Sequence, residues 1–156
     1  YYLVSISPNR YSHSLITESR EFVINFMKAS KGELVAAVAG CSGRDVDKFA
    51  EFGIDWTEGC QVQAPVLVDS IAAYECKVIN VTTLGDHDLF VGEIVAVQYE
   101  ATSYGSDGIL DLTPTESVLY LGADFYATAG SKVVLDRAKS MEALSSARRL
   151  PGQKIR

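Results

Sequence analysis

The sequence has few residues of the kinds that build common catalytic sites. Its two histidines, His13 and His87, lie far apart along the chain. The G-x-S-x-G, H-E-x-x-H, Walker and G-x-G-x-x-G patterns are all missing, which argues against the standard hydrolase, zinc-protease and Rossmann interpretations. The three cysteines, Cys41, Cys60 and Cys76, form no C-x-x-C pair. We therefore expect reduced thiols, no disulfide framework and no metal site.

Long apolar runs are also missing. No stretch approaches the ~20 apolar residues that a membrane-spanning helix needs. No positively charged start followed by an apolar stretch and a small-residue cleavage site opens the chain. We therefore expect no membrane association, and the cytoplasm is the default location.

The charge is unevenly distributed along the chain. Residues 131–156 carry seven Lys or Arg and two Asp or Glu, a net +5, whereas the remainder carries seven and 18, a net −11. An acidic body repels phosphate backbones, so we expect no general nucleic-acid binding. The basic tail is interpreted as a solvated helix and frayed end, or as a weak contact for an anion.

The pattern of apolar residues predicts a mainly β domain with short helices. A length of 156 residues and an apolar share of 47% suit one domain with a full core. Residues 73–81 and 90–99 are predicted to form a hairpin, and alternation in its first strand places Glu75 and Lys77 on the face opposite Cys76. The predicted strands are 1–7, 21–26, 73–81, 90–99 and 117–121. The predicted helices are 12–19, 32–39, 45–52 and 133–148, with Ser12 or Ser14 capping the first and Gly53 ending the third. The first helix would join its flanking strands in a βαβ-like connection.

One cluster of candidate functional residues runs from Cys41 to Phe49. It places Ser42 and Gly43 at a helix start, with Arg44 and Lys48 on one helical face. Free backbone N–H groups at a helix N-terminus with cations nearby are the usual parts of a phosphate site. In the competing interpretation, Ser42 or Asp45 caps the helix and the cations point into water.

A second cluster surrounds the other histidine. His87 lies between Asp86 and Asp88 in a loop before a strand that contains Gly92, where a second group can approach the backbone closely. The imidazole can hydrogen-bond a ligand or move a proton, although an ordinary surface histidine fits the same pattern. A catalytic carboxylate pair among Asp86, Asp88 and Glu93 is a weaker interpretation.

The third cluster is the polar turn Ser7-Pro-Asn-Arg-Tyr-Ser-His-Ser after the first strand. Its hydroxyls and Arg10 are available to an anion. Turn chemistry explains Pro8, Asn9 and Ser12 equally well.

Taken in this order, the clusters resemble the flavin reductase-like family of FMN-binding split-barrel proteins, especially its flavoredoxin-type branch. The resemblance runs from Leu3 to about Gly130 and includes a last motif near the end of the predicted sheet. The matching motifs are Leu3-Val-Ser-Ile-Ser-Pro-Asn-Arg-Tyr-Ser, Glu21-Phe-Val-Ile-Asn, Ser42-Gly-Arg-Asp-Val-Asp-Lys-Phe, Tyr74-Glu-Cys-Lys-Val, Gly85-Asp-His-Asp-Leu-Phe-Val-Gly-Glu-Ile and Tyr120-Leu-Gly.

The resemblance implies an antiparallel Greek-key split barrel, FMN at a homodimer interface, and electron transfer from NAD(P)H or a redox protein partner to the flavin. It assigns residues 1–130 to the barrel domain and leaves 131–156 as a basic helix or tail. It places His87 beside the flavin and nicotinamide, as the catalytic residue. The implied cofactor-binding residues are Asn9, Arg10, Ser12, Cys41, Ser42, Gly43, Arg44 and Lys48.

The sequence departs from the family at its start. Family members usually carry a further strand and loop that touch the flavin before the strand that opens this chain. Either the sequence is part of a longer protein, or some of the flavin pocket has been lost. Three functions are therefore expected alternatives: an NAD(P)H-dependent flavin reductase, a flavoredoxin-type electron carrier, and a non-catalytic flavin-binding module.

Overall fold

The structure is a computed structural model that describes residues 1–111, 116–129 and 139–140. The predicted helix 133–148 therefore lies outside the described residues except for positions 139 and 140. Within the described part of the chain, no helix is both long and apolar enough to cross a membrane. All three cysteines are free in the structure.

Four strands form the main sheet, and every neighbouring pair is antiparallel. Their order across the sheet is β1-β6-β5-β2. β2, β5 and β6 follow one another in this sheet as antiparallel neighbours, and β1 lies beside β6, which is a Greek-key arrangement. The strands are β1 (Tyr2–Ile6), β2 (Glu21–Met27), β3 (Trp56–Thr57), β4 (Val66–Leu67), β5 (Ser70–Leu84), β6 (His87–Tyr99), β7 (Val118–Gly122) and β8 (Phe125–Thr128), and the α-helices are α1 (Tyr11–Ser19), α2 (Gly32–Ala39) and α3 (Lys48–Phe52).

The β5–β6 hairpin forms the centre of the main sheet. Leu84 pairs with His87 across a tight turn in which Gly85 has a φ of +62°. The register shifts twice, between Glu75 and Cys76 and between Val78 and Asn80. Such irregularities bend a strand and increase its twist, which suits a sheet that curls toward a barrel. The predicted hairpin is confirmed and is longer than expected.

The core is formed by residues of β2 and of the adjacent β5–β6 hairpin. Phe90, Ala73 and Cys76 are fully buried, and Phe22 is nearly so. A Cβ added to Gly92 would lie 2.7 Å from Cζ of Phe22 and 2.9 Å from Cβ of Cys76. The close approach that the sequence predicted at Gly92 is therefore made by core side chains.

Several local predictions are corrected. Neither Ser12 nor Ser14 caps α1, because its N-cap is Arg10 and Ser14 Oγ donates back to the carbonyl of Tyr11. The connection through α1 is not a βαβ unit, since β1 and β2 lie at opposite edges of an antiparallel sheet. β8 was missed altogether. Glu75 was predicted to share a face with exposed Lys77, yet its side chain is fully buried.

Candidate functional site

A cavity of about 750 Å³ opens where three separate parts of the chain meet. These parts are the turn between β1 and α1, the end of α2 with the loop that follows it, and the β7–β8 hairpin. Seven of the eight positions that the sequence proposed for cofactor binding line this cavity. They are Asn9, Arg10, Ser12, Cys41, Ser42, Gly43 and Lys48.

Backbone hydrogen bonds shape the first wall, the β1–α1 turn. The N–H of Arg10 donates to the carbonyl of Ser7 at 2.9 Å, and the N–H of His13 donates to the carbonyl of Arg10 at 3.1 Å. Among the described residues, no hydrogen bond or ion pair joins the Arg10 guanidinium to another group. Its five donors therefore remain available to an anion in the cavity.

The second wall, residues 40–47, differs from its predicted form. The N–H groups of Asp45 and Val46 both donate to the carbonyl of Ser42 at 3.1 Å, which makes a turn rather than a helix. α3 begins only at Lys48, and its N-cap is Asp47, whose carboxylate accepts from Phe49 and Ala50. Neither Ser42 nor Asp45 caps this helix, so both are corrected. A free helix N-terminus for a phosphate is not present at Asp45.

The two cations of this segment have different positions. Lys48 lines the cavity while its Nζ donates to the carbonyl of Val38 at 2.5 Å, which leaves two of its three donors. Arg44 does not line the cavity, and its guanidinium lies 5.0 Å from the ring centroid of Tyr11, a cation–π arrangement. Because Arg44 precedes α3, the two side chains do not share a helical face, and that prediction is wrong.

The third wall was missed by sequence reasoning. Tyr120 and Tyr126 are paired across β7 and β8, their ring centroids are 5.2 Å apart, and both line the cavity with Asp124. The turn between the strands has positive φ at Ala123 and Asp124, although neither is a glycine. In the sequence, only the Tyr120-Leu-Gly motif pointed to this wall, because Ala123 is not a typical turn residue and the hairpin was therefore not predicted.

His87 lies outside the cavity, at the tip of the β5–β6 hairpin. Its Nδ1 is 2.8 Å from Oδ1 of Asp86, and the two side chains are 43% and 94% exposed. The hydrogen bond with His87 is the main reason why the pKa of Asp86 lies below its usual value. The predicted catalytic role of His87 remains a prediction.

Asp88, next along the chain, faces the other way. It pairs with His13 of α1 at 2.7 Å and accepts a hydrogen bond from Thr83 at 2.6 Å. These contacts, first that from Thr83 and then that from His13, lower the pKa of Asp88. Asp86 and Asp88 thus have separate histidine partners, and neither is arranged with the other as an acid–base pair.

A second polar centre surrounds the buried carboxylate of Glu75, which the sequence placed only on the face opposite Cys76. It accepts hydrogen bonds from the backbone N–H groups of Cys60, Gln61 and Val62 at 3.0, 2.6 and 3.2 Å, and from Gln98 Nε2 at 2.8 Å. Burial alone raises the pKa of Glu75, but these four hydrogen bonds together outweigh it and lower the pKa. A strand pattern alone cannot reveal this burial, because residues 58–63 cover the outer face of β5.

Another groove, of about 640 Å³, lies between α1, β2 and residues 63–67. Its lining includes Glu18 and Glu21 but no Lys or Arg, so it offers nothing to hold a phosphate. Among the described residues, no three His, Cys, Asp or Glu side chains are grouped as a metal site requires. The cavity with Arg10 and Lys48 is the candidate site for an anionic ligand, because it brings these two cations together with most of the predicted cofactor-binding residues.

Comparison with known proteins identifies the family and the fold. The model of the flavin reductase like domain matches residues 1–126. The chain belongs to this family. Its fold is that of the split-barrel flavin proteins, and the expected antiparallel split barrel with short helices is confirmed.

Two solved structures and one curated relative illustrate the family. An FMN-binding protein from Thermus thermophilus, solved with bound 1-cyclohex-2-enone, is 33% identical, and the alignment covers 86% of this chain and 72% of that one with a TM-score of 0.75. A flavoredoxin from Methanosarcina acetivorans is 25% identical over 89% of this chain and 75% of that one, with a TM-score of 0.77. FMN reductase (NADH) RutF from Acinetobacter baylyi is 26% identical over 62% of this chain and 50% of that protein. The chain spans about half the length of the curated relatives it matches.

Proposed function

We propose that this chain binds FMN in the three-walled cavity and passes electrons from NAD(P)H, or from a redox protein partner, to the flavin. The observation that carries the proposal is the convergence of Asn9, Arg10 and Ser12 with residues 41–43 and Lys48 around one cavity. The first three positions are about thirty residues from the other group in sequence, so only the fold brings the two groups together.

The residues present suit a phosphate at one side of the cavity. Arg10 and Lys48 supply positive charge on a chain whose net charge is −6, and Ser12 and Ser42 supply hydroxyl donors. Charge-assisted hydrogen bonds to a phosphate are stronger than neutral ones. A volume of about 750 Å³ lies within the ordinary range of cofactor sites, roughly 300–1,000 Å³.

The remaining walls suit a planar ring system. Tyr120 and Tyr126 present aromatic surface, and aliphatic side chains extend it. A ligand with an anionic end and an aromatic end, as FMN has, would use both sides of the cavity. The aliphatic residues are Ile6, Val35, Val38, Ala36 and Ala39.

FMN, when bound, supplies the two-electron chemistry, and the protein supplies binding and orientation. In this proposal, His87 acts at the hairpin tip where the electron donor approaches, with Asp86 orienting the imidazole through Nδ1. The proposal also includes a homodimer, since β1 is an edge strand in which Leu3 is 53% exposed, and Tyr1, which precedes it, is 78% exposed. Sedimentation of the FMN-loaded protein tests this, and a monomer would contradict it.

The second candidate is an electron carrier without NAD(P)H turnover. The likeness to the Methanosarcina flavoredoxin favours it, whereas the likeness to an FMN reductase (NADH) favours the reductase. The two differ in their electron donor and not in their cofactor.

Flavin binding and donor oxidation test the proposal directly. The purified protein is titrated with FMN and with riboflavin, and its visible spectrum is recorded. Oxidation of NADH and NADPH is then followed with FMN present. Preferential binding of FMN with NAD(P)H oxidation supports the reductase, and binding without oxidation supports the carrier. Equal affinity for FMN and riboflavin would refute the phosphate site.

The role of His87 is tested with His87→Ala. Removing a proton-handling group at the donor's approach should slow reduction of bound FMN by NAD(P)H. The FMN affinity should stay within about twofold, a change below ~0.5 kcal/mol, because His87 does not line the cavity. An unchanged reduction rate would remove His87 from the mechanism.

A further inference from the structure

The side chain of His13 ties α1 to the β5–β6 hairpin. Its Nε2 lies 2.7 Å from Oδ2 of Asp88, and the two side chains are only 16% and 17% exposed. The imidazole edge also packs on the ring of Phe90, with centroids 5.3 Å apart, and Phe90 is fully buried. One side chain thus makes a polar and an apolar contact with the same strand.

Asp88 itself is held from a second direction. Its Oδ1 accepts from Thr83 Oγ1 at 2.6 Å, and Thr83 is its cross-strand neighbour on β5. An ionised carboxylate only accepts hydrogen bonds, so Nε2 of His13 carries the proton in this pair. The lowered pKa of Asp88 agrees with an ionised carboxylate. The hydrogen bond from Thr83 therefore orients the Asp88 carboxylate independently of His13.

This anchor lies beside the cavity. His13 is in the first turn of α1, and its N–H donates to the carbonyl of Arg10. Arg10 and Ser12, which line the cavity, precede it by three residues and by one. A shift or rotation of this first turn would move both side chains relative to Lys48 on the facing wall.

We propose that His13 and Asp88 are positioning residues, which hold the β1–α1 turn so that Arg10 and Ser12 meet the phosphate of the flavin. This inference rests on the proposed FMN site. Neither residue of the pair lines the cavity, so the pair acts through the backbone of the turn. It differs from the pair of His87 and Asp86, which has a similar distance of 2.8 Å but is exposed and ties no helix to the sheet.

The test compares substitutions at the two pairs. His13→Phe keeps a ring against Phe90 but removes the hydrogen bond, whereas His13→Gln keeps an N–H donor near the position of Nε2. Asp88→Asn removes the charge, and Asp86→Asn is the matched control at the exposed pair. For each variant, the dissociation constants of FMN and riboflavin are measured by quenching of flavin fluorescence, together with the melting temperature.

Positioning of the phosphate-binding turn gives a specific pattern. His13→Phe should weaken FMN binding about tenfold, the loss of roughly one charge-assisted contact, while riboflavin binding changes by less than about twofold. His13→Gln should restore most of the FMN affinity. Asp88→Asn should also weaken FMN binding more than riboflavin binding, but less than His13→Phe does. Asp86→Asn should change the affinity for neither flavin.

Other patterns overturn the inference. Equal weakening of both flavins in His13→Phe and Asp88→Asn, with a lower melting temperature, would assign the pair a purely structural role. Unchanged FMN affinity in Asp88→Asn and His13→Phe would show that the turn is held without it. If His13→Phe fails to fold, the milder Asp88→Asn decides between these outcomes. A wild-type protein that binds both flavins equally would instead refute the proposed function, and this inference with it.

Discussion

Residues 58–63 and residues 40–47 are both short connections without regular structure, but the protein holds them in opposite ways. The first wraps around the buried carboxylate of Glu75, which accepts from three consecutive backbone N–H groups and from Gln98. The second is held by turn hydrogen bonds to Ser42 and by the exposed cap Asp47. It also directs Ser42 and Lys48 into the cavity.

The difference between the two segments shows which polar groups are free to bind a ligand. The Glu75 carboxylate accepts hydrogen bonds from three backbone N–H groups of residues 58–63 and from Gln98, so its hydrogen-bonding capacity serves to hold that segment in place. In the 40–47 segment and the facing turn, donors of Arg10 and Lys48 remain open. Substitutions that disrupt the first segment should therefore lower the free energy of unfolding. Substitutions of the cations that face the cavity should lower the affinity for the ligand.

Glu75→Leu should have the largest effect. It leaves three backbone donors of the 58–63 segment without their acceptor, and we expect a loss of about 3 kcal/mol in the free energy of unfolding. Asp47→Ala is the matched carboxylate of the other segment, because it caps two N–H groups in an exposed place. It should cost about 1 kcal/mol. Chemical denaturation measures both, and equal losses would contradict the comparison.

Gly59→Ala should come next. An added Cβ would lie 2.5 Å from the carbonyl oxygen of Val62 and 2.9 Å from Oε2 of Glu75, so the segment must shift. We expect a loss of about 2 kcal/mol. Gly40→Ala, in the other segment, meets only carbonyls at 3.4 Å and beyond and should change stability by less than about 0.5 kcal/mol. A tolerated Gly59→Ala would show that Glu75 does not hold the segment tightly.

Lys48→Ala should leave most of the stability and weaken FMN about tenfold, with little effect on riboflavin, because it removes positive charge from the cavity. Arg44→Ala is the control, a nearby cation that lies over Tyr11 and outside the cavity. It should change the FMN affinity by less than about twofold. If both flavins lose affinity equally with Lys48→Ala, the phosphate is held elsewhere, by Arg10 and Ser12.

Acidification weakens the Glu75 centre more gently than substitution, since a neutral carboxyl keeps its place. The pKa of Glu75 is lower in the folded protein than in the unfolded chain, where it is about 4.3. Its contribution to stability is therefore fully present above that pH and is lost as the pH falls through the folded-state pKa. The stability difference between wild type and Glu75→Gln should narrow on going from pH 6 to pH 3. A constant difference would exclude an ionised Glu75 as the anchor.

The strands and the candidate residues were largely predictable. Alternation and β-branched residues indicated β2 and the β5–β6 hairpin, and Gly53 ends α3 with a φ of +59° as predicted. Arg10, Ser42 and Lys48 were chosen from separate motifs, and they line one cavity. Such signals are local, and local chemistry is what a sequence shows directly.

The misses have a common physical origin. Asp47 rather than Ser42 or Asp45 caps α3, because several adjacent polar residues can each accept the first N–H groups and only the path of the chain selects among them. β8 follows a turn in which Gly122, Ala123 and Asp124 all have positive φ, and alanine is not one of the residues that typically mark a turn. His13 was left without a role, since its partner Asp88 is 75 residues away.

The sequence by itself determined the mainly β class, the hairpin, the family and seven of the residues that line the cavity, because periodicity and motifs depend on neighbours along the chain. The tertiary structure alone decided which side chains lose water and which partners they meet. Glu75 is buried because residues 58–63 cover it. Arg44 lies over the ring of Tyr11 and outside the cavity, and His13 and His87 pair with different aspartates. Burial and pairing between distant residues depend on how the strands and loops pack in space, and no local pattern encodes that packing.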